Sequence, residues 1–131
     1  SIAVLIVSVD ESCSSLKGGE FINMPNLTFY LSQEHAARFS DLRDLTRICS
    51  ALCTGILAAE SENVHIIYVD VKPGCGHPVY AELFYRLTNV RTSEVMEEFM
   101  RELERAIRQA SGLTARIRCF GSAASHLFAR N

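Results

Sequence analysis

Two stretches of this chain pass through the same change of hydrophobic period in the same order, and that doubling limits the folds open to it. Leu27 to Leu31 (LTFYL) has strand composition. Leu42, Leu45, Cys49, Leu52, Cys53 and Ile56 then recur at three- and four-residue spacing, the apolar stripe of an amphipathic helix. Ser40, with Asp41 behind it, is the expected N-cap. Val64 to Val71 (VHIIYVDV) reads as strand again, closed by the turn Lys72-Pro73-Gly74 and a loop to Pro78. The order then restarts. Val79 to Leu87 (VYAELFYRL) is a strand, and Thr92 caps a second helix whose stripe is Val95, Met96, Phe99, Met100, Leu103 and Ile107. Gly112 ends it as a left-handed residue with Leu113 as its hydrophobic follow-up, and Thr114 to Phe120 (TARIRCF) is the last strong strand.

The pattern β-α-β-β-α-β predicts an α/β domain (α+β in some schemes). Each βαβ unit makes its two strands parallel, so two units give a four-stranded sheet with two helices on one face. Val64, Ile66, Ile67 and Val69 make their strand apolar on both sides, so the uncovered sheet face needs a partner, and self-association supplies one. The same element order also suits a ferredoxin-like domain, whose sheet is antiparallel, and periodicity does not separate the two.

Residues 25–131 carry this pattern, and residues 1–24 do not match it. Ser12 to Gly19 is a Ser/Gly-rich turn region, followed by Glu20-Phe21-Ile22-Asn23-Met24. Glu-Phe is what a common cloning site encodes, and Met24-Pro25 looks like a start site. Residues 1–24 are therefore expected to be a leader added by an expression vector; the alternative is a native extension whose Ile2–Val9 run adds an edge strand. The length of 131 residues suits one domain. A net charge of −2 and a pI near 6.1 argue against bulk nucleic-acid binding. Five cysteines, odd in number and without a disulfide framework, point to a reduced, cytoplasmic protein. No apolar run approaches the ~20 residues that a membrane span needs, so no membrane partner is expected.

Met24-Pro25-Asn26-Leu27 resembles the opening of the tautomerase superfamily, which includes 4-oxalocrotonate tautomerase, carboxymethyl-hydroxymuconate isomerase and macrophage migration inhibitory factor. Asn89-Val90-Arg91-Thr92-Ser93-Glu94 resembles the family's Gly-Arg-Ser-x-Glu helix opening, and Thr114-Ala115-Arg116-Ile117-Arg118 resembles the strand that brings polar groups to the pocket. The first half departs from the pattern: His35 stands where the short members have a helix-opening arginine, His65 replaces the strand arginine, and Glu60-Ser61-Glu62 fills the post-helix site.

The resemblance implies a trimer and a cofactor-independent tautomerase or isomerase whose N-terminal proline, Pro25, is the general base or acid. It requires that Pro25 be a free N-terminus. The substrate would be a small 2-oxo or unsaturated carboxylic acid, and neither metal nor organic cofactor is needed. Arg116 and Arg118 lie two apart, so they share one strand face and Ala115, Ile117 and Cys119 the other. The arginine face must line a pocket or a wet subunit interface. Two of Arg91, Arg116 and Arg118 are expected to hold the carboxylate and the enolate oxygen. His65 and Tyr85 are further substrate-binding candidates, with core or interface packing as the alternative for each; Tyr80 and Phe120 are aromatic wall candidates on the same terms. Cys75-Gly76-His77 falls far short of a zinc site. Two other functions stay open: a non-catalytic small-ligand binder on this or a ferredoxin-like fold, and a hydratase or dehalogenase of the same superfamily.

Overall fold

A computed structural model describes residues 4–7 and 25–130. Its main elements are β1 (Val4–Val7), β2 (Asn26–Ser32), α1 (Leu42–Gly55), β3 (His65–Val71), β4 (Val79–Arg86), α2 (Ser93–Ser111) and β5 (Ala115–Ser122). They build one sheet in the order β1-β3-β2-β4-β5. Strands β2 and β3 are parallel, as are β4 and β5, while β2 and β4 run antiparallel where the two units meet. A ferredoxin-like sheet would have antiparallel neighbours throughout, so this topology excludes it. The four-stranded sheet of the doubled βαβ unit is present, and β1 extends it by pairing antiparallel with the outer edge of β3. The Ser12–Gly19 turn region and the Glu20–Met24 segment lie outside the described residues.

Local chemistry accounts for the helix ends. Helix α1 is capped by Asp41 instead of Ser40: the Asp41 carboxylate accepts from the Asp44 backbone N–H at 3.1 Å. A charged acceptor suits the positive helix N-terminus better than a hydroxyl does. Thr92 caps α2 by accepting from the Val95 N–H at 3.3 Å. Gly112 ends α2 in the left-handed region at φ 74°, its N–H bonded to the Arg108 carbonyl at 2.7 Å. Two 3-10 turns, Gln33–Arg38 and Ser61–Asn63, flank α1 where the period gave no element.

The helices cover one sheet face. Phe29, Leu83 and Ile66 meet Leu45, Cys49 and Cys53 of α1 and Phe99, Leu103 and Ile107 of α2, all at or near zero exposure. The pair Cys49 and Cys53, one helical turn apart, is thus core packing. Thr46 and Tyr68 share a buried hydrogen bond of 2.7 Å within this core. The opposite sheet face carries Tyr30 stacked on Tyr80 and Phe84 stacked on Phe120, the latter two 46% and 45% exposed. An aromatic pair this exposed is apolar area without a cover in the single chain.

Candidate active site

Pro25 immediately precedes β2 and is fully buried. Its carbonyl accepts from the His65 backbone N–H at 3.1 Å, which locks the start of β2 against β3. The β2–β4 register pairs Asn26 with Phe84, so one further step brings Tyr85 opposite Pro25. Residues opposite one another share a sheet face, and Tyr85 packs toward the helices.

Arg91 closes the same end from below. It is only 6% exposed. Its Nε donates to the Leu57 carbonyl at 2.9 Å and its Nη1 to the Arg86 carbonyl at 2.9 Å. One guanidinium therefore ties the chain just past α1 to the last residue of β4. Burial lowers the Arg91 pKa, Cys53 and Tyr85 oppose that shift, and Arg86 adds to it. Burial raises the Tyr85 hydroxyl above the usual tyrosine range, helped by Cys119 and opposed by Arg91. Tyr85 and Arg91 are thus close neighbours. The His65 ring points to the other sheet face, where its Nδ1 bonds the Asn26 Oδ1 at 3.1 Å.

Arg116 and Arg118 lie elsewhere. Arg116 pairs with Tyr80, which pairs with Tyr30, and Arg118 pairs with Glu82, which pairs with Thr28. Arg118 is thus two strands across and three residues along from Pro25, a Cα separation of roughly 14 Å by ordinary strand spacing. Both side chains are exposed and face away from the helices. They border a cleft of about 630 Å³ along the outer edge of β5, with His77, Glu97, Arg101 and Glu104 on its walls. Arg116 also reaches a second hollow of about 220 Å³ walled by Tyr30, Val71, Pro73 and Tyr80. Tyr80 spends its hydroxyl on Glu82 at 2.8 Å. Within one chain, then, Pro25, Tyr85 and Arg91 gather on the helix side of one end of the sheet; the His65 ring lies on the opposite face, and the strand arginines do not join them.

No family model matches the sequence, and neither does any curated protein. Solved structures do match. Native fused 4-OT aligns with a TM-score of 0.65 at 13% identity, over 79% of this chain and 91% of that one. A 5-carboxymethyl-2-hydroxymuconate isomerase from Deinococcus radiodurans R1 aligns with a TM-score of 0.64 at 11% identity, over 86% and 92%. A macrophage migration inhibitory factor-like protein from Entamoeba histolytica aligns with a TM-score of 0.62 at 9% identity, over 82% and 96%. This chain has the tautomerase-superfamily fold.

On that tautomerase fold, one charged residue near Pro25 escaped the sequence reading. Arg86 ends β4, lends its carbonyl to Arg91, and stands close enough to depress the Arg91 pKa. Its signal was a second arginine five residues ahead of Arg91, across the strand-to-helix turn. Thiols fill the space beneath: burial pushes Cys53 up to about 12 and Cys119 to about 11. Cys53 is buried and Cys119 half-buried, and thiols held protonated in this way are poor nucleophiles. Among the described residues no group of three or more His, Cys, Asp or Glu is placed to hold a metal. Cys75 and His77 are exposed on the β3–β4 loop. No helix among the described residues is long and apolar enough to cross a membrane.

Proposed function

We propose that this chain is a cofactor-independent tautomerase or isomerase of small 2-oxo or unsaturated carboxylic acids, with Pro25 as its general base. The observation that carries the reading is a buried proline at the start of a tautomerase-fold strand, opposite Tyr85 in the β2–β4 register, with Arg91 buried at the same end of the sheet. A secondary amine in that place is desolvated and lies at the end of the sheet that holds the Arg91 guanidinium. Both effects favour its neutral form and lower its pKa from roughly 7.7–8.0. It can then take a proton from the carbon beside a carbonyl near neutral pH. The electron pair of the broken C–H bond becomes the C=C bond, and the carbonyl π pair settles on oxygen as enolate. The proton waits on the Pro25 nitrogen until it returns to that oxygen or to another carbon. Hydration or dehalogenation of an unsaturated acid would use the same groups with water as the added nucleophile.

The reading includes two conditions. The working chain begins at Pro25, with residues 1–24 absent, because an amide nitrogen is not a base. It also assembles with copies of itself as a trimer, so that the exposed Arg116 and Arg118 of one copy serve the Pro25 of another. Their exposure, the uncovered Phe84–Phe120 stack, and a fused 4-OT relative described as a symmetric trimer support that condition. Free cysteines suit the cytoplasm. One specific observation favours a non-catalytic ligand binder instead: in the sequence as it stands, Met24 acylates the Pro25 nitrogen. The deciding experiment follows enol–keto conversion of a phenylpyruvate-type acid by a chain beginning at Pro25, with the leader-bearing chain alongside. Activity confined to the trimmed chain supports the enzyme. Turnover by neither chain above buffer moves the binder ahead.

A further inference from the structure

Tyr30, Tyr80 and Arg116 stand in one row across β2, β4 and β5, on the sheet face away from the helices. The two phenol rings stack with centroids 5.7 Å apart and planes at 22°. The Tyr80 hydroxyl is tied to the Glu82 carboxylate at 2.8 Å, which holds that ring in place. Over the end of this row folds the β3–β4 loop, which carries Cys75-Gly76-His77. Residue types set the loop's shape: Pro73 and Pro78 fix their own φ, and Gly76 turns at φ 106°, where a side chain would be strained. The Pro78 carbonyl accepts from the Ser32 N–H at 3.0 Å, pinning the loop to the end of β2. Row and loop together enclose the hollow of about 220 Å³, with Val71 and the two prolines as apolar wall and exposed Cys75 at the rim. Among the described residues that line it, Arg116 is the one permanent charge. Tyr30 lies five residues along β2 from Pro25, about 17 Å by ordinary strand rise, so this hollow is not the Pro25 site.

We propose that this hollow is a second ligand site, shaped for one small, flat aromatic carboxylate of benzoate size. The tyrosine rings and the prolines offer a ring flat apolar area, and aromatic rings gain further by offset stacking. The Arg116 guanidinium is planar and permanently charged, so it meets a carboxylate through two parallel N–H donors. Volume sets the upper bound. Drug-sized ligands occupy pockets of roughly 300–1,000 Å³, so this hollow admits a single ring with its carboxylate and excludes fused ring systems. Pro25 takes no part in it, and the site does not depend on the isomerase reading. It does add a demand on Arg116, which borders both this hollow and the β5 cleft. An aromatic acid held here and the proposed substrate compete for one guanidinium.

The test uses the full chain, in which Met24 acylates Pro25, with benzoate as the probe. The ring-proton shifts of Tyr30 and Tyr80 should saturate with a Kd on the order of 1 mM, as a ligand of this size allows. Acetate carries the charge without the ring, and benzamide the ring without the charge; each should bind about tenfold more weakly or worse. Bound benzoate should also slow alkylation of Cys75, read by peptide mass mapping, in proportion to the sites filled. Tyr30→Ala and Arg116→Ala should each weaken binding about tenfold. Arg116 is exposed, so its variant keeps the test alive if Tyr30→Ala fails to fold. Arg101→Ala alters the cleft and not the hollow, and should leave benzoate binding unchanged. No saturable shift below about 10 mM, an equal response to acetate, or an unprotected Cys75 would overturn the proposal. Equal losses from Arg101→Ala and Arg116→Ala would overturn it too, by putting the anion in the cleft.

Discussion

The two ends of the sheet hold the same kinds of residue in opposite states. At the Pro25 end an arginine and a tyrosine are packed under the strands, and Arg91 gives two donors to backbone carbonyls. At the β5 cleft Arg116 and Arg118 are exposed, and the one side-chain bond recorded for Arg118 goes to the neighbouring Ile117 carbonyl at 2.8 Å. Residue type alone therefore says little about role. Arg91 ties two stretches of backbone together at the Pro25 end, whereas Arg116 and Arg118 face a cleft at the β5 edge, away from their own chain's Pro25. The difference teaches that the proposed carboxylate site, if it uses both kinds of arginine, has to draw Arg116 and Arg118 from another copy of the chain.

The largest expected effect breaks the comparison at its base. Pro25→Ala in a chain beginning at residue 25 keeps an N-terminal amine but loses the ring that presets it, and Pro25 acylation removes the base altogether. Acylation should cost about 10²–10⁴ in kcat, read as enol–keto conversion against the unmodified trimmed chain. An acylated chain that keeps full activity would remove Pro25 from the mechanism.

Next in size is the contrast between the arginines. Arg91→Ala strands the Leu57 and Arg86 carbonyls in a buried site and should cost about 2–4 kcal/mol of stability, measured by the urea midpoint. Joint replacement of Arg116 and Arg118 by Ala should move stability by about 0.5 kcal/mol or less and raise KM instead. If the double variant unfolds early and Arg91→Ala does not, the two ends have been assigned the wrong way round.

Much of this was legible in the chain, for physical reasons that also mark where legibility stopped. Both βαβ units, the Thr92 cap and the Gly112 terminus depend on neighbours in sequence, and each is found within two residues of its expected place. Asp41 displaced Ser40 as the first cap because two capping side chains stand side by side, and the charge of one at the helix N-terminus decides between them. The Gln33–Arg38 turn has no period to announce it. The adjacency of Pro25 and Tyr85 depends on strand register between segments sixty residues apart, which composition does not encode. Arg91 was visible as a helix-entry arginine, yet its burial was not, since the Leu57 and Arg86 carbonyls that hold it come from two other elements.

The smallest effect concerns the thiols, and it sharpens the comparison without touching the chemistry. Cys53 and Cys119 lie beneath the Pro25 end with folded pKa values pushed up to about 12 and about 11 by burial, above the ordinary 9.0. An unfolded chain would release these protons first as pH rises, so the native state binds more of them above pH 9. Their contribution to stability is therefore complete below about 9 and is lost progressively as pH climbs through about 11 to 12. Cys119→Ala should flatten the early part of that decline in urea melts taken at stepped pH. Cys75, exposed on the loop beside the Arg116 hollow, carries no such protection. In the chain beginning at Pro25, a thiol reagent at neutral pH should consume exposed Cys75 quickly, half-buried Cys119 slowly, and Cys49 and Cys53 only on unfolding. Cys75→Ser should abolish the fast phase. Rapid loss of a second thiol without unfolding would mean that the Pro25 end opens far more readily than its packing indicates.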